Sequence, residues 1–159
     1  KYIVLDDFFH FLNARVFSPT FMAQKSGNAA FQKWEVLGGD VYQALVGSLG
    51  DLRDDLFIIV LTHTAMKDSG MIGMKTSGKL LDNTVDVPSF ASYTFHTLVQ
   101  NGGDKEPTKY KFLTNNDGVH LARTPHGCFN DLLIPNNLYK AIQQIGEYKK
   151  GKVEVVWEE

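Results

Sequence analysis

The sequence predicts an α/β fold, a mainly parallel sheet with an antiparallel C-terminal extension. Three observations carry this expectation. Two apolar runs, Tyr2-Ile3-Val4-Leu5 and Leu56-Phe57-Ile58-Ile59-Val60-Leu61, lack the polar alternation of a half-solvated strand. Between them Trp34, Leu37, Val41, Leu45 and Leu49 recur at helical spacing and make one apolar stripe. Strand, helix and strand in that order form a βαβ unit, which implies a parallel pair joined by a right-handed crossover.

The elements follow along the chain. The first residues already lie inside an apolar β-branched run, with no Met and no leader. Strand ends tend to be polar, so the start reads as that of a truncated chain. The first strand, residues 2–5, ends at Asp6-Asp7. Residues 8–12 are apolar and aromatic, and residues 13–28, with Pro19 and Gly27, read as a loop or a broken helix. The helix over residues 34–49 is weakened by Gly38 and Gly39. The run 56–61 is the clearest strand, expected to be central and covered on both faces, and it ends at Thr62-His63-Thr64. Residues 67–79 are polar and glycine-rich and read as a mobile loop. Residues 90–99 read as a strand and 101–107 as a turn. Residues 110–114 and 119–122 read as a hairpin around Asn116-Asp117-Gly118, because Asp-Gly supplies the positive φ angles of a tight turn. Residues 137–148 form a helix with Leu138, Ala141, Ile142, Ile145 and Tyr148 on one face. The expected organisation is one domain over residues 1–148 and a charged tail over 149–159, without repeats.

Composition narrows the classes of function. A chain of 159 residues suits one domain, and 43% hydrophobic with 21% charged residues is a globular profile. The net charge of −2 supplies no global basic field, so any DNA contact needs a local patch. A single cysteine, Cys128, excludes an internal disulfide and a Cys-rich zinc site. It fits a reducing compartment, and the expected location is cytoplasmic. No apolar run has the length of a membrane span, so no membrane is expected.

Four segments hold chemistry-bearing residues. Ile3-Val4-Leu5-Asp6-Asp7 has the Walker B pattern, a buried strand running into acids at the sheet edge where ligands of open α/β sheets bind. There Asp6 would hold Mg²⁺ through water and Asp7 would polarise the attacking water. An ordinary strand ending in a solvated turn gives the same pattern. Thr62-His63 ends the next apolar strand, where a polar residue can sense a γ-phosphate, although a His capping a loop fits equally. The two pairs would converge on one crevice if their strands are parallel neighbours. Gly73-Met74-Lys75-Thr76-Ser77-Gly78-Lys79-Leu80 matches G-x-x-x-x-G-K-[ST] except at its last position, where Leu80 lacks the Mg²⁺-binding hydroxyl. It also stands downstream of the Walker B candidate and about ten residues past the preceding apolar run, so a lysine-bearing loop is the preferred reading. Arg123, just after an apolar segment, would suit a finger reaching a neighbouring subunit's phosphate, or a solvated strand end.

These segments, together with Leu52-Arg53-Asp54-Asp55-Leu56, Tyr110-Lys111-Phe112-Leu113-Thr114 and Ala122-Arg123-Thr124-Pro125-His126-Gly127, resemble a family of phage-borne AAA/RecA-like P-loop ATPases. Order and spacing agree to about residue 148. The resemblance implies a partial RecA-like core from Walker B onward, with the Walker A part missing. It implies Mg²⁺-dependent ATP hydrolysis coupled to a DNA transaction, recombination or single-strand annealing, in the host cytoplasm. The alternative is a catalytically inert DNA-binding or assembly subunit that keeps the fold. By resemblance Asp6 and Asp7 are the Walker B acids, His63 ends the sensor strand and the segment 76–79 belongs to the loop region that faces DNA. The expected roles are Asp7, His63 and Arg123 in catalysis, Asp6 and Thr62 at the nucleotide and Asp6 at the metal. The loop 67–79 holds three lysines and three glycines against one acid, so Lys67, Lys75 and Lys79 are expected on the phosphates of single-stranded DNA. ATP and Mg²⁺ are the expected cofactors, and a homo-oligomer is the expected assembly. The family usually has Lys where this chain has Arg123.

Overall fold

The computed structural model describes residues 1–24, 27–47, 51–53, 55–103 and 107–151. Leu49, Asp54 and most of the expected tail therefore lie outside the described residues. The chain divides into two compact units: Lys1–Ala65 with Met74–Ala91, and Met66–Gly73 with Ser92–Glu159.

The first unit contains the βαβ order that the sequence predicts. β1 (Tyr2–Leu5) and β2 (Phe57–Val60) are parallel neighbours, with Tyr2 opposite Phe57 and Leu5 opposite Val60. Among the described residues between them lie α1 (Phe8–Val16), α2 (Pro19–Ala23) and α3 (Ala29–Tyr42), the last running into a π-type turn over Gln43–Gly47. The helix starts have local causes. The Asp7 carboxylate accepts the Phe9 N–H at the head of α1. Ser18 caps α2 and Pro19 supplies a fixed φ at its first turn. The helical stripe is real: Leu37 and Val41 are buried, and Trp34 and Leu45 pack beside them. They meet Phe8, Leu12, Val16 and Phe21, and also Leu81, Val85 and Val87 from the end of the unit. Leu81 lies in α4 (Lys79–Thr84) and Val87 in α5 (Val87–Phe90).

The mainly parallel sheet is not observed, and the fold is not a RecA-like core. Among the described residues β1 and β2 make a sheet of two strands. Tyr2, Ile3 and Val4 are 58%, 44% and 53% exposed, so the unbroken apolar run does not mark a strand covered on both faces. An apolar run states a preference for burial but does not count a strand's neighbours. β3 (Thr64–Met66) and β4 (Ile72–Met74) make a second two-stranded sheet. The remaining strands, β5 (His96–Gln100), β6 (Lys109–Leu113) and β7 (Leu133–Pro135), form an antiparallel sheet in the order β5-β6-β7. The reason is the connections. β5 and β6 are too close in sequence for the crossover of a dozen or more residues that a parallel pair requires, and no helix separates β6 from β7.

In the second unit two further expectations change. The strand foreseen over 90–99 begins only at His96, because α5 takes Phe90. The hairpin between 110–114 and 119–122 does not form. β6 pairs on both sides with β5 and β7, while the Ile72 N–H donates to the Val119 carbonyl and the Leu121 N–H to the Ile72 carbonyl. The Asp117-Gly118 turn itself is present, with Gly118 at φ 90°, closed by side chains: Asn116 accepts the Gly118 N–H, and Asp117 accepts those of Val119 and His120. α6 (Leu138–Lys149) is found where the stripe places it. Asn137 caps it by accepting the Lys140 N–H, and Ala141 and Ile145 are buried. Gln144, also buried, donates to the Cys128 carbonyl.

Candidate functional site

In the first unit the register of β1 and β2 sets the site. Because Leu5 lies opposite Val60, the next residues of both strands leave the sheet at the same end. Backbone bonds hold that end closed: the Leu61 N–H donates to the Leu5 carbonyl (3.0 Å), and the Phe8 N–H to the Leu61 carbonyl (2.8 Å). Of the two pairs, Asp7 and His63 meet there. The His63 Nε2 is 2.9 Å from the Asp7 Oδ2.

A third side chain joins them. α1 begins at Phe8, so His10 stands one turn past Asp7, and its Nε2 is 3.4 Å from the same Asp7 oxygen. The other Asp7 oxygen is engaged by the Phe9 N–H at 3.2 Å, which fixes the carboxylate plane. The Asp7 side chain is 25% exposed, against 75% for His10 and 60% for His63, so the carboxylate forms the floor and the imidazoles the rim. The Phe9 ring meets the His63 ring edge-on, and the Lys75 ammonium lies 4.3 Å from the centre of the Phe9 ring. Asp6 is exposed beside this floor. The Thr62 hydroxyl is buried without a hydrogen-bond partner among the described residues, an arrangement that costs about 1–3 kcal/mol when nothing satisfies it.

Sequence reasoning missed His10. Its signal is Asp7-x-x-His10 at a helix start, since residues three apart are neighbours on a helix. The other expected residues fare differently. Lys75 and Lys79 belong to the first unit and Lys67 to the second. The stretch 67–79 is not one loop: it contains β4 and the first residue of α4, and the Lys67 N–H donates to the Met71 carbonyl. The P-loop look-alike does follow a strand directly, because Gly73 lies in β4. It still makes no phosphate cradle: the Thr76 hydroxyl bonds Asp82, the Ser77 hydroxyl bonds Asn13, and Leu80 brings no hydroxyl. Arg123 belongs to the second unit, where its backbone pairs with Thr94.

The second unit holds a cluster of its own that the sequence does not announce, because His96 and His120 are far apart in the chain. Their rings are 4.5 Å apart, and the His120 Nδ1 is 2.9 Å from the Asp117 Oδ2. The His120 N–H bond, the His120 ring and the Val119 N–H hold the Asp117 carboxyl far below the usual carboxylate range. Burial, and then the neighbouring His120, push the His96 imidazole down.

No protein-family model, curated protein or solved structure matches the chain. Among the described residues no helix is long and apolar enough to cross a membrane.

Proposed function

We propose that the corner formed by Asp6, Asp7, Thr62 and His63 is the metal-and-water side of a Mg²⁺-dependent ATP hydrolase coupled to the handling of single-stranded DNA. The observation that carries this reading is the 2.9 Å approach of His63 to Asp7 at the common end of two parallel strands. Both strands leave the pair at that end, so the side chains that follow them share one corner. Asp6 offers an exposed oxygen ligand, and Mg²⁺ keeps several waters, so one carboxylate plus phosphate oxygens suits it. Bound there, Mg²⁺ would neutralise charge on the transferring phosphoryl group. The Asp7 carboxylate, oriented by the Phe9 N–H and His63, is positioned to polarise a water. Thr62 brings a hydroxyl that lacks a partner to the same strand end.

The 73–80 segment does not supply a grip on the triphosphate, since its Thr76 and Ser77 hydroxyls bond Asp82 and Asn13. The DNA transaction, the homo-oligomer and the trans role of Arg123 rest on the motif resemblance alone. That lack of a cradle favours the second reading, an inert DNA-binding or assembly subunit. Phosphate release from ATP, measured with Mg²⁺ and with EDTA for wild type and Asp6→Asn, separates the two. The hydrolase reading expects Mg²⁺-dependent release that Asp6→Asn abolishes. Wild type without such release leaves the inert subunit.

A further inference from the structure

We infer that Asp7, His10 and His63 form a binding site for a divalent transition metal of the Zn²⁺ class, separate from the Mg²⁺ role of Asp6. The three donor atoms all lie within 4.8 Å of one another. Donors about 2.0–2.1 Å from a tetrahedral Zn²⁺ are about 3.3 Å apart. The two approaches to the Asp7 oxygen, 2.9 Å and 3.4 Å, bracket that separation, so small side-chain rotations would admit an ion.

The donor set selects the metal. Two imidazole nitrogens and one carboxylate suit zinc, copper, iron or nickel, whereas Mg²⁺ and Ca²⁺ take oxygen. Three protein ligands leave the remaining positions to water or substrate, the pattern of an open site rather than a closed structural one. The exposure of both imidazoles leaves those positions reachable from solvent. The site also has an outer support. The Phe9 N–H holds the second carboxylate oxygen, so Asp7 presents one oxygen in a fixed direction, as such partners do for metal-bound carboxylates. The two His rings stand at 84° with centroids 6.3 Å apart, so they do not stack, and each Nε2 reaches the same Asp7 oxygen. Both partners lie on well-anchored backbone: His10 inside α1, and His63 just past β2, where its carbonyl accepts the Lys75 N–H.

Metal binding here does not depend on the hydrolase reading: an ion would take the Asp7 oxygen that His63 now approaches, in place of their direct contact, and its test uses no nucleotide. Metal-free protein is titrated with Co²⁺ while the visible ligand-field bands are followed, and Zn²⁺ and Mg²⁺ are then added as competitors. The expected result is one equivalent of Co²⁺ giving intense bands, displaced by Zn²⁺ and not by excess Mg²⁺. His10→Ala and His63→Ala should each weaken binding at least tenfold, and His126→Ala, in the second unit, should not. His10 is exposed, so His10→Ala should fold, and a thermal melt of each variant checks this. Absence of bands in wild type, or His10→Ala binding with unchanged affinity, overturns the site. Displacement by Mg²⁺ as effective as by Zn²⁺ overturns its selectivity.

Discussion

Two adjacent glycines in α3 make opposite predictions. A Cβ built on Gly39 meets nothing within 4 Å, whereas one on Gly38 comes 2.6 Å from the Thr84 Cγ2 and 3.3 Å from the Thr84 Cβ. Ordinary carbon contacts lie at about 3.5–4.0 Å, so the Gly38 methyl would overlap α4 by roughly 1 Å. In a helix interior Ala is favoured over Gly by about 0.8–1.0 kcal/mol. Gly39→Ala should therefore stabilise the first unit by about 1 kcal/mol. Gly38→Ala receives the same gain but incurs about 1–3 kcal/mol of overpacking. Thr84 could rotate away only by giving up its hydroxyl bond to the Leu80 carbonyl (2.8 Å), so no inexpensive escape exists. The expected net loss is about 1 kcal/mol, and the two variants should differ by about 2 kcal/mol. Thr84→Ser removes Cγ2 and keeps the hydroxyl, so in that background Gly38→Ala should cease to destabilise, a coupling of about 1–2 kcal/mol. Urea denaturation followed by Trp34 fluorescence in a Trp157→Phe background reports on this unit. Equal shifts for Gly38→Ala and Gly39→Ala, or no rescue by Thr84→Ser, would refute the close approach of α3 and α4.

Other outcomes follow from the same contacts. Leu81→Ala, at a fully buried position of the first unit's core, should cost about 2–5 kcal/mol in the same denaturation assay. The folded His96 binds its proton less readily than the unfolded one, so its contribution to stability is lost as pH falls below about 6.5 towards the depressed folded value. His96→Gln should flatten the stability curve in that window, and an unchanged slope would remove the buried-histidine account. Asp117, depressed, contributes stability that is full above the ordinary carboxylate range and is lost as pH falls from that range towards the depressed folded value, so Asp117→Asn should blunt acid unfolding. If Lys75 and Lys79 contact single-stranded DNA, replacing both with Ala should reduce the salt slope of binding by about 1.4. Unchanged affinity and slope in an oligonucleotide titration would move the DNA site elsewhere.

Local chemistry was legible in the sequence where one residue acts on its neighbours. Asp117-Gly118 turns the chain where the sequence predicts, and α6 lies on its apolar stripe; Asp7 and Asn137 cap the helices that follow them by the same local chemistry, though neither cap is among the expectations. The parallel pairing of β1 and β2 was legible because helical residues separate two apolar runs. Sheet extent was not, since Tyr2, Ile3 and Val4 are apolar yet exposed. Strand partners were also hidden: Val119 and Leu121 bond Ile72 rather than the nearer β6, a choice made between distant segments. At the site, Asp7 and His63 were read from strand ends. His10 is hidden because it lies inside the aromatic run 8–12, and only the helical turn of α1 brings it back to Asp7.

The meeting of Asp7 and His63 is tested most directly by ATP turnover set beside thermal melting for Asp7→Asn and His63→Ala. Asn caps a helix as well as Asp does, and His63 is largely exposed, so both variants should melt close to wild type. Turnover should fall about 10²-fold or more in Asp7→Asn and clearly in His63→Ala, with ATP binding retained in Asp7→Asn. Wild-type turnover in both variants, or lowered melting with unchanged specific activity, would contradict a working site at the end of β1 and β2.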